Sequence, residues 1–342
     1  MPPPTPPLIS VAVPTLTAGE ALSECLLSLE RQTFQRFEVV VVDNSGTDKV
    51  TIPPELAARG RFTVIRNKRN VGFGAAVNQV IQQSKARYLA TLNDDAVADP
   101  GWLKALADAA ESNLKVGMFA PCVMLSGTGT LDSAGMLLAI DGSSKQRGHT
   151  KSPDEFAKLP KIFFPSGSAA LYRRSMLEQI GLFDETYFLY CEDTDLGLRA
   201  RWAGWDCLYV PKAIVEHLYS HTAGGASPMK AYYVERNRLY TAVKNFPPRM
   251  LLRVPFASVA RYFWHLISLV GGVGKTGEYR ESGHDTWLLP FLVFRAHAAA
   301  LFRLPRLWQE RKKIAASRKI SGPEFEALAR AYAISVREVA SQ

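Results

Sequence analysis

The chain has 342 residues, 47% of them hydrophobic, which allows one large domain, or one domain with an appendage, around a sizeable core. Its four cysteines are widely spaced and form no CxxC pair, which argues against a disulfide framework or a zinc site and favours a reducing, cytoplasmic setting. The net charge of +9 is carried by residues 244–342, which hold 16 Lys and Arg against 7 Asp and Glu. That excess suits an anionic membrane surface or a nucleic acid, or is only a solvated basic surface.

The chain begins with the proline-rich residues 1–7, MPPPTPP. They have no charged leader followed by an apolar run, so they do not resemble a signal peptide. We expect a short disordered, polyproline-like arm.

Short apolar runs then alternate with helical patterns. The predicted strands are Leu8–Val13, Phe37–Val42, Phe62–Ile65 and Tyr88–Leu92, and the predicted helices are Ala21–Leu29, Gly74–Gln83 and Trp102–Ser112. This alternation predicts an α/β fold, a mostly parallel sheet with flanking helices.

Polar clusters follow three of these runs, at Pro14-Thr15, Asp43-Asn44 and Asn93-Asp94-Asp95. Ligands of open parallel sheets bind outside the carboxyl ends of the strands. The pattern therefore predicts one shared site for the three clusters.

The middle of the chain, residues 121–168, is rich in Gly and Ser and poorly periodic, so we expect loops and irregular strands there. After it, the predicted strands are Ser168–Tyr172, Leu208–Val210 and Ile214–His217, and the predicted helices are Arg173–Ile180 and Glu192–Ala203.

From about residue 229 onward, long helical patterns dominate. Residues 254–270 and 287–302 are apolar and aromatic, but Arg261, His265 and Arg295 interrupt them, so neither predicts a membrane-spanning helix. Basic amphipathic helices lying on a membrane surface are one interpretation. Helices packed on the catalytic domain or on a second subunit are the other.

The segment Leu92–Val97 carries the strongest local signal. Carboxylates such as Asp94 and Asp95 at the end of a strand form a hard-oxygen site for Mg²⁺ or Mn²⁺, which can also bind the phosphates of a nucleotide. The alternative is a polar turn that caps the next helix.

A second acidic segment, Tyr190–Arg199, opens a predicted helix. Glu192 and Asp195 share a helix face, whereas Asp193 points elsewhere. One of these carboxylates could act as a general base on a hydroxyl group. Alternatively, the acids favour the helix N-terminus, with Asp195 paired to Arg199.

Asn70, Gly72 and Gly74 form a turn that runs into a helix, where backbone can approach a ligand and the helix N-terminus favours anions. The spacing is neither that of a dinucleotide-binding loop nor that of a P-loop. His217 ends a strand-like run and is either a metal ligand or merely structural. Recognition motifs for nucleic acid are missing, so we expect no nucleic-acid partner.

Taken in order, these segments resemble family 2 glycosyltransferases over about residues 8–245. The matching segments are Val13–Thr15, Val42–Ser45, Asn70–Gly74, Leu92–Asp95, Asp99–Leu103, Pro165–Ser168, Gly181–Glu185, Glu192–Leu196 and Ala203–Trp205. The resemblance implies a GT-A fold, a catalytic domain over residues 8–245, and a basic helical C-terminal region over residues 246–342.

The resemblance also implies roles at the donor side. Asp43 would hold the nucleoside of the donor, with help from Pro14, Thr15 and Asn70. The turn at Gly72 and the side chain of Asp94 would lie on the same side. Ser166 and Gly167 would line the sugar and the acceptor.

For the metal, Asp95 matches the last acid of the family's DxD motif, and His217 resembles the histidine that often completes the site. The first position of the motif is Asn93 here, a departure from the family pattern that leaves the ligand set open. Asp193 matches the usual general base, and Glu192 is the reserve candidate.

The reaction implied is an inverting, metal-dependent single displacement from a nucleotide-sugar donor. The segments Gly181–Glu185 and Tyr190–Arg199 and the basic tail Leu301–Lys319 look most like bacterial rhamnosyltransferases. Those commonly transfer rhamnose from dTDP-rhamnose to glycan or lipid-linked acceptors at the inner face of the membrane. A peripheral membrane location and a homo-oligomer would suit this chain.

Two other enzyme classes are disfavoured, and two alternatives remain. The chain lacks the QxxRW-type motif and the spanning helices of a processive synthase, and it lacks the Gly-rich basic loop that opens a nucleotidyltransferase. A non-catalytic domain that binds only nucleotide or glycan is favoured by Asn93, but Asp95 and Asp193 argue against it. A transferase that uses a UDP- or GDP-sugar fits the same residues.

Overall fold

The computed structural model describes residues 6–158, 160–217, 227–271 and 274–341. Residues 1–5 of the predicted arm therefore lie outside the described residues. The chain divides into two compact units. Unit 1 comprises Met1–Gly135, Gln146–Phe188 and Trp205–Thr222, and unit 2 comprises Met136–Lys145, Leu189–Gly204 and Ala223–Gln342. The assignment of residues 8–245 and 246–342 as separate domains stays a prediction.

Eleven strands occur in the described ranges. They are β1 (Ile9–Thr15), β2 (Phe37–Asp43), β3 (Phe62–Arg66), β4 (Tyr88–Leu92), β5 (Ala96–Ala98), β6 (Val116–Leu125), β7 (Leu131–Ser133), β8 (Met136–Leu138), β9 (Ser144–Gln146), β10 (Ala169–Arg173) and β11 (Asp206–His217). The large sheet has the order β3-β2-β1-β4-β10-β6-β11-β5, and β7 pairs with β6. Strands β8 and β9 form a separate two-stranded sheet, and Leu138 of β8 also bridges to Ala333.

The helices of unit 1 are α1 (Glu20–Glu30), α2 (Pro54–Ala57), α3 (Phe73–Gln83), α4 (Trp102–Ser112) and α5 (Arg174–Ile180). Those of unit 2 are α6 (Glu192–Trp202), α7 (Pro228–Asn245), α8 (Pro248–Leu251), α9 (Val254–Gly271), α10 (Gly274–Glu281), α11 (Leu288–Ser317), α12 (Gly322–Ala331) and α13 (Val336–Ser341). The predicted α/β class and the helical C-terminal region are confirmed.

The core of unit 1 forms where apolar strands are covered by the apolar faces of helices. Strand β1 buries Ile9, Val11 and Val13 completely, and each such side chain contributes roughly 1.5–3 kcal/mol when it leaves water. Strands β1 to β4 are parallel, whereas β10 runs antiparallel to both β4 and β6. The sheet is therefore mixed, and its parallel half brings the carboxyl ends of β1, β2 and β4 to one edge.

The expectation of loops from residue 121 onward is wrong for β6, a buried strand that lies between β10 and β11. The poor periodicity of residues 121–168 gives no sign of it. Pro121, which has no N–H to donate, is also unusual in a central strand. The neighbouring strand accommodates it. Strand β11 pairs Val210 with Pro121 and then skips to pair Ile214 with Cys122. Because β11 bulges at this point, its backbone does not need the hydrogen bond that Pro121 cannot donate.

The same bulge explains a second difference between the structure and the sequence prediction. We predicted two short strands, Leu208–Val210 and Ile214–His217, but the structure has one strand, β11, that runs from Asp206 to His217. The residues between them form the bulge rather than a turn.

Unit 2 is built around α7, whose buried face is polar. Glu235 and Arg238 of α7 form an ion pair, and Arg261 of α9 pairs with Glu235 and with Asp141, whose Oδ2 lies 2.6 Å from Arg261 Nε. The hydroxyl of Tyr262 contacts both Glu235 and Arg238. The two arginine charges hold the pKa of Glu235 well below its usual range despite the opposing effect of burial.

Two further observations bear on function. Within the described ranges, one helix, α11, is long and apolar enough to cross a membrane by length and composition. All four cysteines are free; Cys25, Cys122 and Cys207 are buried, and Cys191 is half-buried.

Candidate active site

The carboxyl edge of β1, β2 and β4 brings the three predicted polar clusters together. Thr15 is in register with Asp43 on the neighbouring strand, as Pro14 is with Val42. The hydroxyl of Thr15 lies 2.6 Å from Asp94 Oδ2, and the N–H of Asn44 donates to the carbonyl of Thr15 at 2.9 Å. The edge is therefore a connected polar surface, as the positions of these clusters after their strands predicted.

Asp43 offers an acceptor to a ligand at this edge. One carboxylate oxygen, Oδ1, accepts a hydrogen bond from the N–H of Ser45 at 2.9 Å. The other, Oδ2, is buried and has no hydrogen-bond partner among the described residues. A buried carboxylate oxygen without a partner carries a desolvation cost. A bound ligand with an N–H or O–H group would remove that cost.

The turn at Asn70 and Gly72 has a packing reason for its glycine. The side chain of Asn70 accepts a hydrogen bond from the N–H of Gly72 at 2.8 Å, and Gly72 has φ of +90°. A Cβ on Gly72 would lie 2.3 Å from the carbonyl oxygen of Phe188. The glycine therefore lets two stretches of backbone pack together within unit 1, and a role for Asn70 and Gly72 in donor binding stays a prediction.

The turn after β4 faces the end of β11. Asp95 is buried, and its Oδ1 lies 3.2 Å from Nε2 of His217 but makes no hydrogen bond within the described residues. The amide nitrogen of Asn93 lies 3.3 Å from the same ring nitrogen. The residue at the first DxD position therefore keeps contact with the predicted metal site, although an amide replaces the carboxylate.

Asp132 holds the other side of the histidine ring. Its Oδ2 lies 3.1 Å from Nδ1 of His217, and its Oδ1 lies 3.4 Å from Nδ1 of His149. Burial alone would lower the pKa of His217, but the hydrogen bonds and charges of Asp132 and Asp95 raise it to about 9. Burial likewise opposes ionisation of Asp132, yet the two histidines bring its pKa down to about 2. Asp132 thus fixes the ring orientation of His217.

Sequence reasoning missed Asp132, because it lies in the poorly periodic middle region, where no motif singles it out. The link to His217 spans 85 residues and depends on β7 pairing with β6. A ligand histidine that donates its second N–H to a carboxylate is a recurrent arrangement in metal sites.

The residues present fit a divalent metal of the Mg²⁺ or Mn²⁺ type. In the described part of the chain, no group of three or more His, Cys, Asp or Glu side chains is arranged to hold an ion. Such ions are, however, commonly bound by one or two protein ligands together with substrate phosphates and waters. The buried, unbonded Oδ1 of Asp95 and the oriented ring of His217 match that requirement.

Ser166 and Gly167 belong to the loop that leads into β10. The carbonyl of Ser168 accepts a hydrogen bond from the N–H of Asn93 at 2.8 Å, which ties this loop to the turn after β4. The hydroxyls of Ser166 and Ser168 lie 3.0 Å apart. The loop therefore borders the predicted metal site, as expected for residues that line the sugar.

The acidic start of α6 belongs to unit 2, and its three acids differ. Asp195 is fully buried and pairs with Arg199 and Lys244, each at 2.8 Å, which hold its pKa well below the usual range against the effect of burial. The predicted pairing of Asp195 with Arg199 is confirmed. This acid stabilises the fold.

Glu192 and Asp193 differ from Asp195. Burial, followed by the charge of Asp193, raises the pKa of Glu192 to about 8, and the Oε2 of Glu192 has no hydrogen-bond partner among the described residues. Asp193 is half-buried, and its Oδ1 accepts a hydrogen bond from the N–H of Thr194 at 2.6 Å. At neutral pH Glu192 therefore holds a proton.

Comparison with known proteins of similar sequence identifies the family of this chain. Residues 10–181 match the family described as Glycosyl transferase family 2. The chain is 31% identical over 243 residues to the N-acetylglucosaminyl-diphospho-decaprenol L-rhamnosyltransferase of Mycobacterium tuberculosis, covering 64% of this chain and 78% of that protein. It is also 26% identical over 239 residues to the O-antigen biosynthesis protein RfbC of Myxococcus xanthus, covering 67% of this chain and 19% of that protein.

Solved structures with a similar fold include GalNAc-T7 with UDP, GalNAc and Mn²⁺, at a TM-score of 0.58 and 16% identity. The likeness covers 75% of this chain and 51% of that one, so this chain spans about half its length. The S. aureus protein TarS has a TM-score of 0.51 at 16% identity, covering 95% of this chain and 55% of that one. At such low identity, these likenesses concern the fold.

Proposed function

The chain belongs to glycosyl transferase family 2 and has the GT-A fold, and on that premise we propose that it transfers L-rhamnose from dTDP-rhamnose to a lipid-linked glycan acceptor during cell-surface polysaccharide assembly. The glycosyltransferase class follows from the family. The choice of sugar and acceptor is supported by the relative from M. tuberculosis, whose name specifies L-rhamnosyl transfer and a diphospho-decaprenol acceptor.

The observation that carries the proposal is a pair of buried carboxylate oxygens at the carboxyl edge of the sheet. Asp43 Oδ2 and Asp95 Oδ1 both lack hydrogen bonds among the described residues. We assign Asp43 to the nucleoside, with Pro14, Thr15 and Asn70 beside it. We assign Asp95 and His217 to a divalent ion, which when bound would neutralise charge on the departing diphosphate.

Transfer then needs one proton acceptor for the incoming hydroxyl. As the acceptor oxygen bonds to the anomeric carbon, the bond from that carbon to the diphosphate breaks, and the nucleoside diphosphate leaves with the electron pair. The acceptor's proton passes to a carboxylate, which we assign to Asp193. The raised pKa of Glu192 supports this choice, because a carboxyl group that already holds its proton at neutral pH cannot accept another.

A lipid-linked acceptor would require work at a membrane surface. We therefore propose a cytoplasmic protein that associates peripherally with the inner face of the cell membrane. The excess of basic residues in 244–342 supports attraction to anionic lipids.

The experiment that tests the transferase proposal measures nucleotide diphosphate released from a panel of dTDP-, UDP- and GDP-sugars with Mg²⁺ or Mn²⁺. The comparison is between the unchanged chain, Asp95→Ala and Asp108→Ala. Asp108 is an exposed acid of unit 1 paired only with the exposed Lys104 in the described structure, and so is a matched control. Release from one donor, lost in Asp95→Ala and kept in Asp108→Ala, is the expected result.

If no donor is turned over but one is bound in a calorimetric titration, the assay is repeated with a lipid-linked acceptor, because an enzyme that needs its acceptor and a binding domain both give that result. No release with the acceptor present would mean that the chain is a binding domain and that the transferase proposal is wrong. Turnover of a UDP- or GDP-sugar instead of dTDP-rhamnose would support the proposed transferase activity but change the proposed donor.

A further inference from the structure

Helix α9 has its polarity reversed relative to a helix on the surface of a soluble protein. Its buried face carries Ser258, Arg261 and Ser268. Its exposed face carries four large apolar side chains at spacings of three and four residues, namely Phe256, Val259, Phe263 and Leu266. Phe256 is 79% exposed. A surface helix normally places its apolar stripe against the core.

The buried contacts of α9 fix this orientation. Arg261 Nε lies 2.6 Å from Asp141 Oδ2, and Ser258 Oγ accepts a hydrogen bond from Arg238 Nη1 at 3.0 Å. Turning the helix to bury its phenylalanines would break these contacts and leave buried charges unpaired, which costs several kcal/mol. The apolar stripe therefore stays outside for a structural reason.

Helix α11 presents a second apolar stripe. Its exposed large side chains are Trp287 just before the helix and Phe291, Phe294, Leu301, Phe302, Leu304 and Trp308 within it. The opposite face buries Leu292, Ala296 and Ala300, and α11 packs on α7. The two helices are neighbours, because the hydroxyl of Tyr262 lies 3.5 Å from Nε2 of His297.

The segments that carry the two stripes hold basic but no acidic residues. Residues 246–277 and 286–309 contain no Asp or Glu, whereas the segment between them holds Glu278, Glu281 and Asp285. Arg253, Arg295 and Arg306 are exposed in the two segments that carry the stripes. A second copy of the chain pressed face to face on this surface would bring like charges together. A surface of anionic lipid headgroups would instead complement the arginines while its acyl region takes up the aromatic side chains.

We propose that the exposed faces of α9 and α11 form a docking surface for an anionic lipid bilayer, with both helices lying in the plane of the interface. A spanning arrangement is disfavoured because α11 packs one face on α7 and carries Arg295, Arg303 and Arg306. Trp287 and Trp308 near the two ends of the α11 stripe suit the headgroup region, where tryptophan is enriched. This proposal rests on the peripheral membrane association proposed above and names the surface that makes it, whereas its test does not depend on the transfer reaction.

The test is flotation of the full chain with vesicles of phosphatidylcholine, with and without 30% phosphatidylglycerol (about the anionic content that such surfaces need). The variant is Phe263→Ser with Phe294→Ser, and the control is Leu114→Ser, because Leu114 is a 65% exposed leucine of unit 1. We expect the unchanged chain and the control to float with the anionic vesicles. The double variant should have a partition coefficient at least about tenfold lower.

A second variant, Arg295→Glu with Arg306→Glu, should lose the preference for anionic vesicles, and thermal melting should show that every variant is folded. Vesicle binding that the folded double phenylalanine variant retains would overturn the proposal, as would failure of the unchanged chain to bind any vesicle. A dimer detected by light scattering that the same variant dissolves would assign the surface to a second copy instead.

Discussion

The acids at the sheet edge of unit 1 and those in the interior of unit 2 are equally buried but differently partnered. Asp43 and Asp95 each keep an oxygen without a hydrogen bond in the described structure. Asp195 and Glu235 are surrounded by cationic side chains. Burial of a charge is costly unless it is compensated. Asp95 faces a single histidine, His217, at 3.2 Å in the described structure. The comparison teaches that acids neutralised by several cations hold the fold together, whereas acids that keep an unbonded oxygen mark where a ligand supplies the missing partner.

Helix α6 carries both kinds of acid within four residues. Asp195 is paired with Arg199 and Lys244, whereas Glu192 keeps an unpartnered buried oxygen in the described structure. Substitutions in α6 can therefore best distinguish an acid that stabilises the fold from an acid that takes part in the reaction.

The largest effect is expected at Asp193. In Asp193→Asn the acceptor hydroxyl would lose its proton acceptor, so turnover should fall by roughly 10²–10⁴-fold, the usual contribution of a general base. Donor affinity and melting temperature should change little. Steady-state kinetics and calorimetric donor titration check this, with Asp195→Asn as the comparison that should lose stability instead. Equal turnover in Asp193→Asn and the unchanged chain would remove Asp193 from the mechanism.

The next effect concerns stability rather than turnover. Glu235→Gln would leave Arg238 and Arg261 buried without their shared carboxylate, which should lower the free energy of unfolding by about 3–5 kcal/mol. Glu310→Gln, at a surface pair with Lys313, should cost less than about 1 kcal/mol. Urea unfolding measures both. Similar losses in the two variants would mean that the buried network contributes no more than a surface pair.

A smaller effect is expected at Asp132 of unit 1, which pairs with His217 and His149. Asp132→Asn should keep the fold but release the ring of His217, and should weaken Mn²⁺ affinity by roughly 10–100-fold. Titration of Mn²⁺ followed by electron paramagnetic resonance, in the presence of nucleoside diphosphate, reads this without relying on activity. Unchanged Mn²⁺ affinity would show that His217 needs no orienting partner.

The last effect is a pH dependence set by Glu192. Its pKa is about 8 in the fold against 4.5 as an ordinary glutamate, so between these values the folded chain holds a proton that the unfolded chain has released. Stability is therefore full below pH 4.5 and declines as pH rises toward 8, by at most about 1.4 kcal/mol per pH unit. Glu192→Gln should lack this decline. Parallel stability profiles for the two proteins from pH 5 to 8 would contradict the shifted pKa.

Much of the sheet edge could be predicted from the sequence, because it depends on local patterns. The run Tyr88–Leu92 and the helix Trp102–Ser112 appear in the structure with the predicted bounds. The carboxyl ends of parallel strands must then meet, which places Thr15 beside Asp94 without further information.

The remainder depends on pairing between distant segments. The poorly periodic residues from 121 onward did not indicate β6, and the bulge in β11 explains how Pro121 is accommodated there. The contact between Asp132 and His217 has no local signal, since neither residue's neighbours indicate the other. The reversed polarity of α9 was also invisible, because periodicity shows that a helix has an apolar face but not which face the protein covers.

The cysteines described above have a practical consequence. Burial raises the pKa of Cys25, Cys122 and Cys191, so these thiols react slowly with alkylating reagents, and Cys207 is buried as well. A cysteine introduced at Phe302, which is 89% exposed on α11, would therefore be labelled far faster than the native ones. A polarity-sensitive dye at that position would report, through the colour of its emission, when the helix enters lipid, with no native cysteine removed.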